Sequence, residues 1–254
     1  MGFQNSFEVL PSLGLSFKDL RQAQRVAGCP ALDLGASHST LALEGELRGI
    51  SIHSTDLSAD KYRIKMLESL ERRINLLKNI YVGDPSAAAA HTQQFPPGFE
   101  CAPISAFEWS STITNAISRV NQTLSQCDAS TITLADGTPA PDRMFSIVMS
   151  SHAVPKYSID KTFLQTELRE LLRVTDGRLV LFPFISAGPD HELLHLPNSP
   201  SRKMVESIAR ELGFSFETKV YPHLIEPEGG VPTAPGYDIT AVFSRQGTRY
   251  PLPR

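Results

Sequence analysis

"ALDLGASHST", residues 31–40, decides how the chain is read. Ala31, Leu32 and Leu34 form a short apolar run interrupted by one acid, Asp33, and closed by Gly35. So brief a run bounded by glycine reads as a buried strand. The small polar residues that follow can cap a helix, "SHSTLALEGELRG" (37–49) supplies one, and Gly49 offers a stop. "ISIHSTD" (50–56) then reads as a second strand that also ends on an acid. Strand, helix and strand in so few residues make a βαβ unit, whose two strands lie parallel.

The alternation continues outward in both directions. A helix is expected over 16–26. The stretch 58–80 sets Ile64, Leu67, Leu70, Ile74 and Leu77 at helical spacing. Residues 82–103 are rich in Pro, Gly and small side chains, and Ile113, Ile117, Val120 and Leu124 mark a further helix. Strands are expected at "STITLAD" (130–136), "FSIVMSS" (145–151) and "RLVLFPF" (178–184), with a helix over 160–174 between the last two. Ser199 and Pro200 open a helix that Gly213 closes, and strands follow at 214–222 and 237–245. This is an α/β pattern: a Rossmann-like, doubly wound, mostly parallel sheet with helices on both faces. The expected organisation is a single domain over 1–254, with a leader over 1–29 and an insertion over 82–128.

Composition narrows the partners. Lys plus Arg number 24 against 27 for Asp plus Glu, a formal charge of -3, which disfavours nucleic acid because phosphate binding calls for a clustered basic face. No apolar run is long enough to span a bilayer. Cys29, Cys101 and Cys127 are too scattered for a disulfide framework or a cysteine zinc site, so a reducing, cytoplasmic setting is expected. "MGFQNS" fits the acceptor pattern for acylation at Gly2, and a frayed terminus is the plain alternative. Nothing in the sequence specifies an oligomeric state.

In such a sheet, ligands bind beyond the carboxyl ends of the strands. The expected ends are Asp33, Gly35 and Ser37 after strand one, Asp56 with Leu57 after strand two, Asp136 with Gly137 after strand three, and Ser150, Ser151 and His152 after strand four. Asp56 lies 23 residues past Asp33 (56 minus 33), the approximate interval at which a second-strand acid meets ribose hydroxyls. Taken singly, Asp33 or Asp56 could serve only as a helix cap.

With "LDLGASHST", "STD", "LADGTPAPDRMFSIVMSSH" and "ELLRVTDGRLVLFPF" in this order, the chain resembles the class I S-adenosylmethionine (SAM)-dependent methyltransferases over roughly residues 30–245. The resemblance implies seven strands with the last antiparallel, and SAM as cofactor. It implies that Asp33, Gly35 and Ser37 border the methionine part. Asp56 and Leu57 would meet the ribose side, Asp136 and Gly137 the adenine, and Ser150, Ser151 and His152 the sulfonium methyl and the acceptor. His152 is the candidate base for an oxygen acceptor, with Tyr157 as partner. The family's DxGxGxG is altered here, since Ser37 and Ser39 replace the later glycines. That change also disfavours a nicotinamide dinucleotide, whose pyrophosphate needs GxGxxG.

"HELLH" (191–195) matches the zinc motif HExxH. Pro197 would end any helix there within about two turns, so no metal site is expected and a short turn of helix is the preferred reading. "SSHAV" stands where nucleic-acid amino methylation would place DPPY or NPPY. A small-molecule or protein acceptor is therefore expected, walled by 82–128 and by "EPEGGVPTAPGYD" (226–238). The alternative is a non-catalytic scaffold of the same fold.

Overall fold

The computed structural model describes residues 9–10, 13–36, 39–57, 108–151, 166–182, 200–225 and 234–247. The expected helix over 58–80, the "HELLH" stretch, and the residues Ser37, His152 and Tyr157 lie outside them.

Seven strands form one sheet in the order β3-β2-β1-β4-β5-β7-β6. They are β1 (Ala31–Leu34), β2 (Ile52–Asp56), β3 (Ser125–Gln126), β4 (Phe145–Ser151), β5 (Thr175–Phe182), β6 (Phe214–Ile225) and β7 (Ala234–Arg245). Pairing is parallel from β3 through β5, whereas β7 runs antiparallel to both β5 and β6. The reversal in order between β1 and β4 is the topological switch point of a doubly wound sheet. This strand order with a reversed β7 is the class I methyltransferase fold, as expected.

Helices cover both faces because the strands are apolar on both. Ala31, Ile52, Ile147, Met149 and Val180 pack with α1 (Phe17–Ala27), α2 (Leu41–Glu46) and α3 (Trp109–Thr123). Leu32, Leu34, Val148, Leu179 and Leu181 turn to the other face, under α4 (Leu168–Val174) and α5 (Pro200–Glu211). This alternation follows from the two-residue repeat of a strand, and in β4 it begins after a register shift between Phe145 and Ile147. Helix α1 begins on a capping box, Ser16 with Asp19, and ends at Gly28 in the left-handed region.

Three expectations need correction. The third strand is Ser125–Gln126, not 130–136. Residues 130–136 instead enter a small hairpin in which the Ala140 amide donates to Ile132 (2.8 Å) and the Leu134 amide to Thr138 (2.8 Å). The hairpin satisfies the same apolar alternation, since Ile132 is fully buried and Leu134 packs beside it on the α4 and α5 face. The Ile132 amide, donating to Glu170 Oε1 at 2.9 Å, fixes the hairpin to α4 rather than to the sheet. Second, α3 and β3 both fall within 82–128, so the carboxyl-terminal part of that stretch belongs to the sheet and its cover. Third, β7 begins at Ala234, so part of the expected acceptor loop at 226–238 is strand.

The β6–β7 hairpin is longer than its support. Strand β7 pairs with β6 over its whole length but with β5 only over residues 241–244. Residues 234–240 therefore run roughly 20 Å past the paired part of β5, on the side where the parallel strands end.

Arg245 closes the opposite end. Its Nη2 donates to the Thr175 carbonyl (2.6 Å) and to Leu172 (3.4 Å), its Nε donates to Asp176 (3.0 Å), and its guanidinium lies 4.3 Å from the Phe214 ring centroid. One side chain thus joins β7 to the turn between α4 and β5. Arg245→Ala should lower stability by about 2 to 3 kcal/mol through the loss of charged hydrogen bonds. Arg245→Lys should recover under half of that, because a single ammonium cannot span three carbonyls. Urea unfolding of the three proteins measures both differences.

Candidate functional site

Register brings the strand ends together. Leu34 lies opposite Thr55 and Ser150, and Asp56 lies opposite Gln126, so the carboxyl ends of β3, β2, β1 and β4 form one rim. Adjacent strands are about 4.8 Å apart, so groups on neighbouring ends lie within one ligand's reach.

Faces sort these groups further. Asp33 is in register with Ser54 on one side and Met149 on the other, so all three share the face toward α1, α2 and α3. Two residues on, Asp56 and Ser151 share that face as well. Ser150 points to the opposite face with Leu34 and Thr55. Of the expected site residues, the structure therefore gathers Asp33, Gly35, Asp56 and Ser151 on one side of the rim, with Ser150 directly behind.

Asp33 is only 3% exposed. Its carboxyl accepts a hydrogen bond from the Ser39 hydroxyl, while Oδ2 has no partner among the described residues. Burial is the chief reason its pKa is pushed up to about 7; the Ser39 bond opposes that rise and the charge of Asp56 adds to it. The hydroxyls of Ser54, Thr55 and Ser151 are likewise buried and unpartnered among the described residues. Buried polar atoms without partners are costly, and a cluster of them at a strand-end rim marks a place built for a ligand or ordered water.

The turn after β1 is made by Gly35, whose φ of 70° is a conformation that side chains disfavour. The Ala36 amide then donates to the Thr55 carbonyl at 2.9 Å, which ties the turn to β2. Ser39 serves twice: its hydroxyl donates to Asp33 and accepts from the Leu41 amide at 3.1 Å. Helix α2 has only six residues and is held by the buried Arg48, which donates to the Glu44 carbonyl (2.9 Å) and lies 4.1 Å from the Phe17 ring centroid.

Asp136 and Gly137 stand elsewhere. They form the tip of the hairpin at 130–140, where Asp136 is exposed and its Oδ1 accepts from the Thr138 hydroxyl (2.7 Å) and amide (3.0 Å). Those bonds, the hydroxyl's first, hold its carboxyl below the ordinary range. The acid two residues past the end of β3 is instead Asp128, whose Oδ1 accepts from the Ser130 amide at 2.8 Å. A two-residue strand has no periodicity to read, which is why Asp128 was not legible. Ser54, two residues before Asp56, could have been found from the alternation of "ISIHSTD". Leu57, beside Asp56, is 62% exposed, unusual for so large an apolar side chain at a rim.

Among the described residues no group of three or more His, Cys, Asp or Glu is placed to hold a metal ion, and no helix is long and apolar enough to cross a membrane.

No protein-family model matches the sequence, and no curated protein is detectably similar to it. Among solved structures, similarity extends to magnesium protoporphyrin IX methyltransferase from Synechocystis PCC 6803 with bound SAH, at 12% identity, 90% of this chain, 86% of that chain and a TM-score of 0.44. A SAM-dependent methyltransferase from Methanosarcina mazei is similar at 14% identity, covering 85% of this chain and 92% of that one, with a TM-score of 0.41. A variant of the 16S rRNA (adenine(1408)-N(1))-methyltransferase from Catenulisporales acidiphilia with SAM gives 14%, 94%, 95% and 0.41 in the same order. The fold assignment rests on strand order and register, not on these distant likenesses.

The burial of Asp33 has a measurable sign. A carboxyl whose pKa is raised on folding contributes stability that is fully present below its unfolded value and is lost as pH rises through about 7. Relative to Asp33→Asn, the wild type should lose roughly 2 to 3 kcal/mol between pH 5 and pH 8. Denaturant unfolding of both proteins at the two pH values, without ligand, measures the difference; a pH-independent gap would refute it.

Proposed function

We propose that the protein is a SAM-dependent methyltransferase acting on a small-molecule or protein acceptor. The observation that carries this reading is the convergence of Asp33, with its unpartnered Oδ2, and Asp56 on one side of the rim beside the Gly35 turn. When bound, SAM supplies an electrophilic methyl group on a sulfonium.

The residues present fit that group. The orphaned oxygen of Asp33 suits an ammonium, and Gly35 permits close backbone approach. Asp56 offers two acceptor oxygens to the ribose diol, and the exposed face of Leu57 offers a flat apolar surface to a base. Asp128 takes the adenine role expected of Asp136, because it follows the strand that borders β2. Ser150 and Ser151 end β4 next to β1, on the approach to the acceptor side. The expected base, His152, follows directly in sequence. The chain's contribution to rate is then mainly alignment, which can supply roughly 7 to 11 kcal/mol when reacting groups are held in place.

One observation favours a second reading, a scaffold that keeps the fold without the chemistry. Ser39 stands at a glycine position of the family pattern, and its hydroxyl is already bonded to Asp33. The two readings separate by ligand binding. SAM at 100 times its dissociation constant should stabilise the wild type by about 2.7 kcal/mol, which a scaffold would not show. Asp56→Ala should weaken binding roughly 10- to 100-fold, the value of hydrogen bonds to a charged acceptor, and Asp128→Ala should weaken it more than Asp136→Ala. Thermal unfolding with and without SAM reads all four proteins.

A further inference from the structure

We propose that the Asp33 pocket exchanges a proton for its ligand: the carboxyl is neutral while the rim is empty and surrenders its proton to water when a cationic amino group is seated against Oδ2. The proposal rests on the reading above and adds to it a specific requirement, that the ligand be charged at that end.

The geometry favours the protonated carboxyl in the empty state. Asp33 is enclosed by Ala31, Ser54 and Met149 on its own face of the sheet, and all three are at most 1% exposed. Its one donor is the Ser39 hydroxyl, and its Oδ2 has none among the described residues. A carboxylate so placed would lack the two or three donors that normally compensate desolvation.

The neighbours reinforce this. From β2 the titratable group facing Asp33 is Asp56, a like charge that disfavours ionisation. Strand β4 presents Met149 and Ser151, and the turn to α2 presents Ser39 and Thr40, none of which is charged. No described cation is among the groups that shift it. An acidity near 7 agrees with this placement.

Arrival of an ammonium reverses the balance. It supplies both the donor that Oδ2 lacks and an opposite charge a few ångströms away, the two influences that most favour a carboxylate. The O–H bond of the Asp33 carboxyl breaks, the proton leaves to solvent, and no covalent bond forms. Binding is then coupled to pH by linkage.

Titration calorimetry in two buffers of different ionisation enthalpy counts the protons released. SAM should release about 0.9 proton at pH 6 and about 0.5 at pH 7, given an empty-state value of about 7. 5′-Methylthioadenosine shares the nucleoside but lacks the methionine part and its cationic α-amino group, and it should bind with no release. Asp33→Asn should release nothing with SAM. Ser39→Ala, which removes the only donor to Asp33 among the described residues, should raise release at pH 7 toward one and serves if the Asn variant fails to fold. SAM binding without release, or equal release by 5′-methylthioadenosine or by Asp33→Asn, would overturn the exchange while leaving the methyltransferase reading intact. Absence of heat with either nucleoside on the wild type would overturn both.

Discussion

Parallel pairing of β2, β1 and β4 is the constraint on which the rest depends. Because the three strands run the same way, their last residues fall on one edge, and because both faces are covered, those residues cannot be displaced without moving the core. A polar side chain at such a position is either held by neighbours or left without them. Asp33, Ser54, Thr55 and Ser151 keep atoms of the second kind. The sheet is therefore rigid where it is least satisfied, which is how binding sites are kept preorganised.

Burial and charge act in concert at that edge. Asp33 is destabilised by desolvation and by Asp56, and relieved in part by Ser39. Evolution of a stable scaffold alone would favour an apolar residue there, as Ala31 and Met149 illustrate on either side. Retaining a lone acid in a closed layer costs stability and is understandable as a compromise in favour of recognition.

Much of the fold was legible because long apolar runs carry their own period. β1, β2, β4 and β5 were expected within a few residues of where they lie, as was α5, with proline and glycine at its two ends. Residues at the ends of those strands inherited that accuracy, which is why Asp33, Gly35 and Asp56 lie at neighbouring strand ends. The third strand failed for a physical reason. Two residues suffice to extend the sheet beside β2, whereas "STITLAD" alternates over seven because it packs against α4 as a hairpin. Alternation reports a half-buried extended segment and not the partner it pairs with. That misplacement put Asp136 at an expected strand end and passed over Asp128, which follows β3.

The overhanging β6–β7 hairpin separates two tasks that a compact sheet would merge. Its root is locked by β5 and by Arg245, while residues 234–240 have β6 as their only neighbour in the ladder among the described residues. A two-stranded ribbon coils more strongly than a wide sheet, so residues 234–240 are held less closely to the plane of the parallel strands than residues 241–244. Substitutions within 234–240 can therefore be absorbed without touching the register of β1, β2 and β4. The outer arm is free to vary on a cantilever while the parallel edge stays fixed.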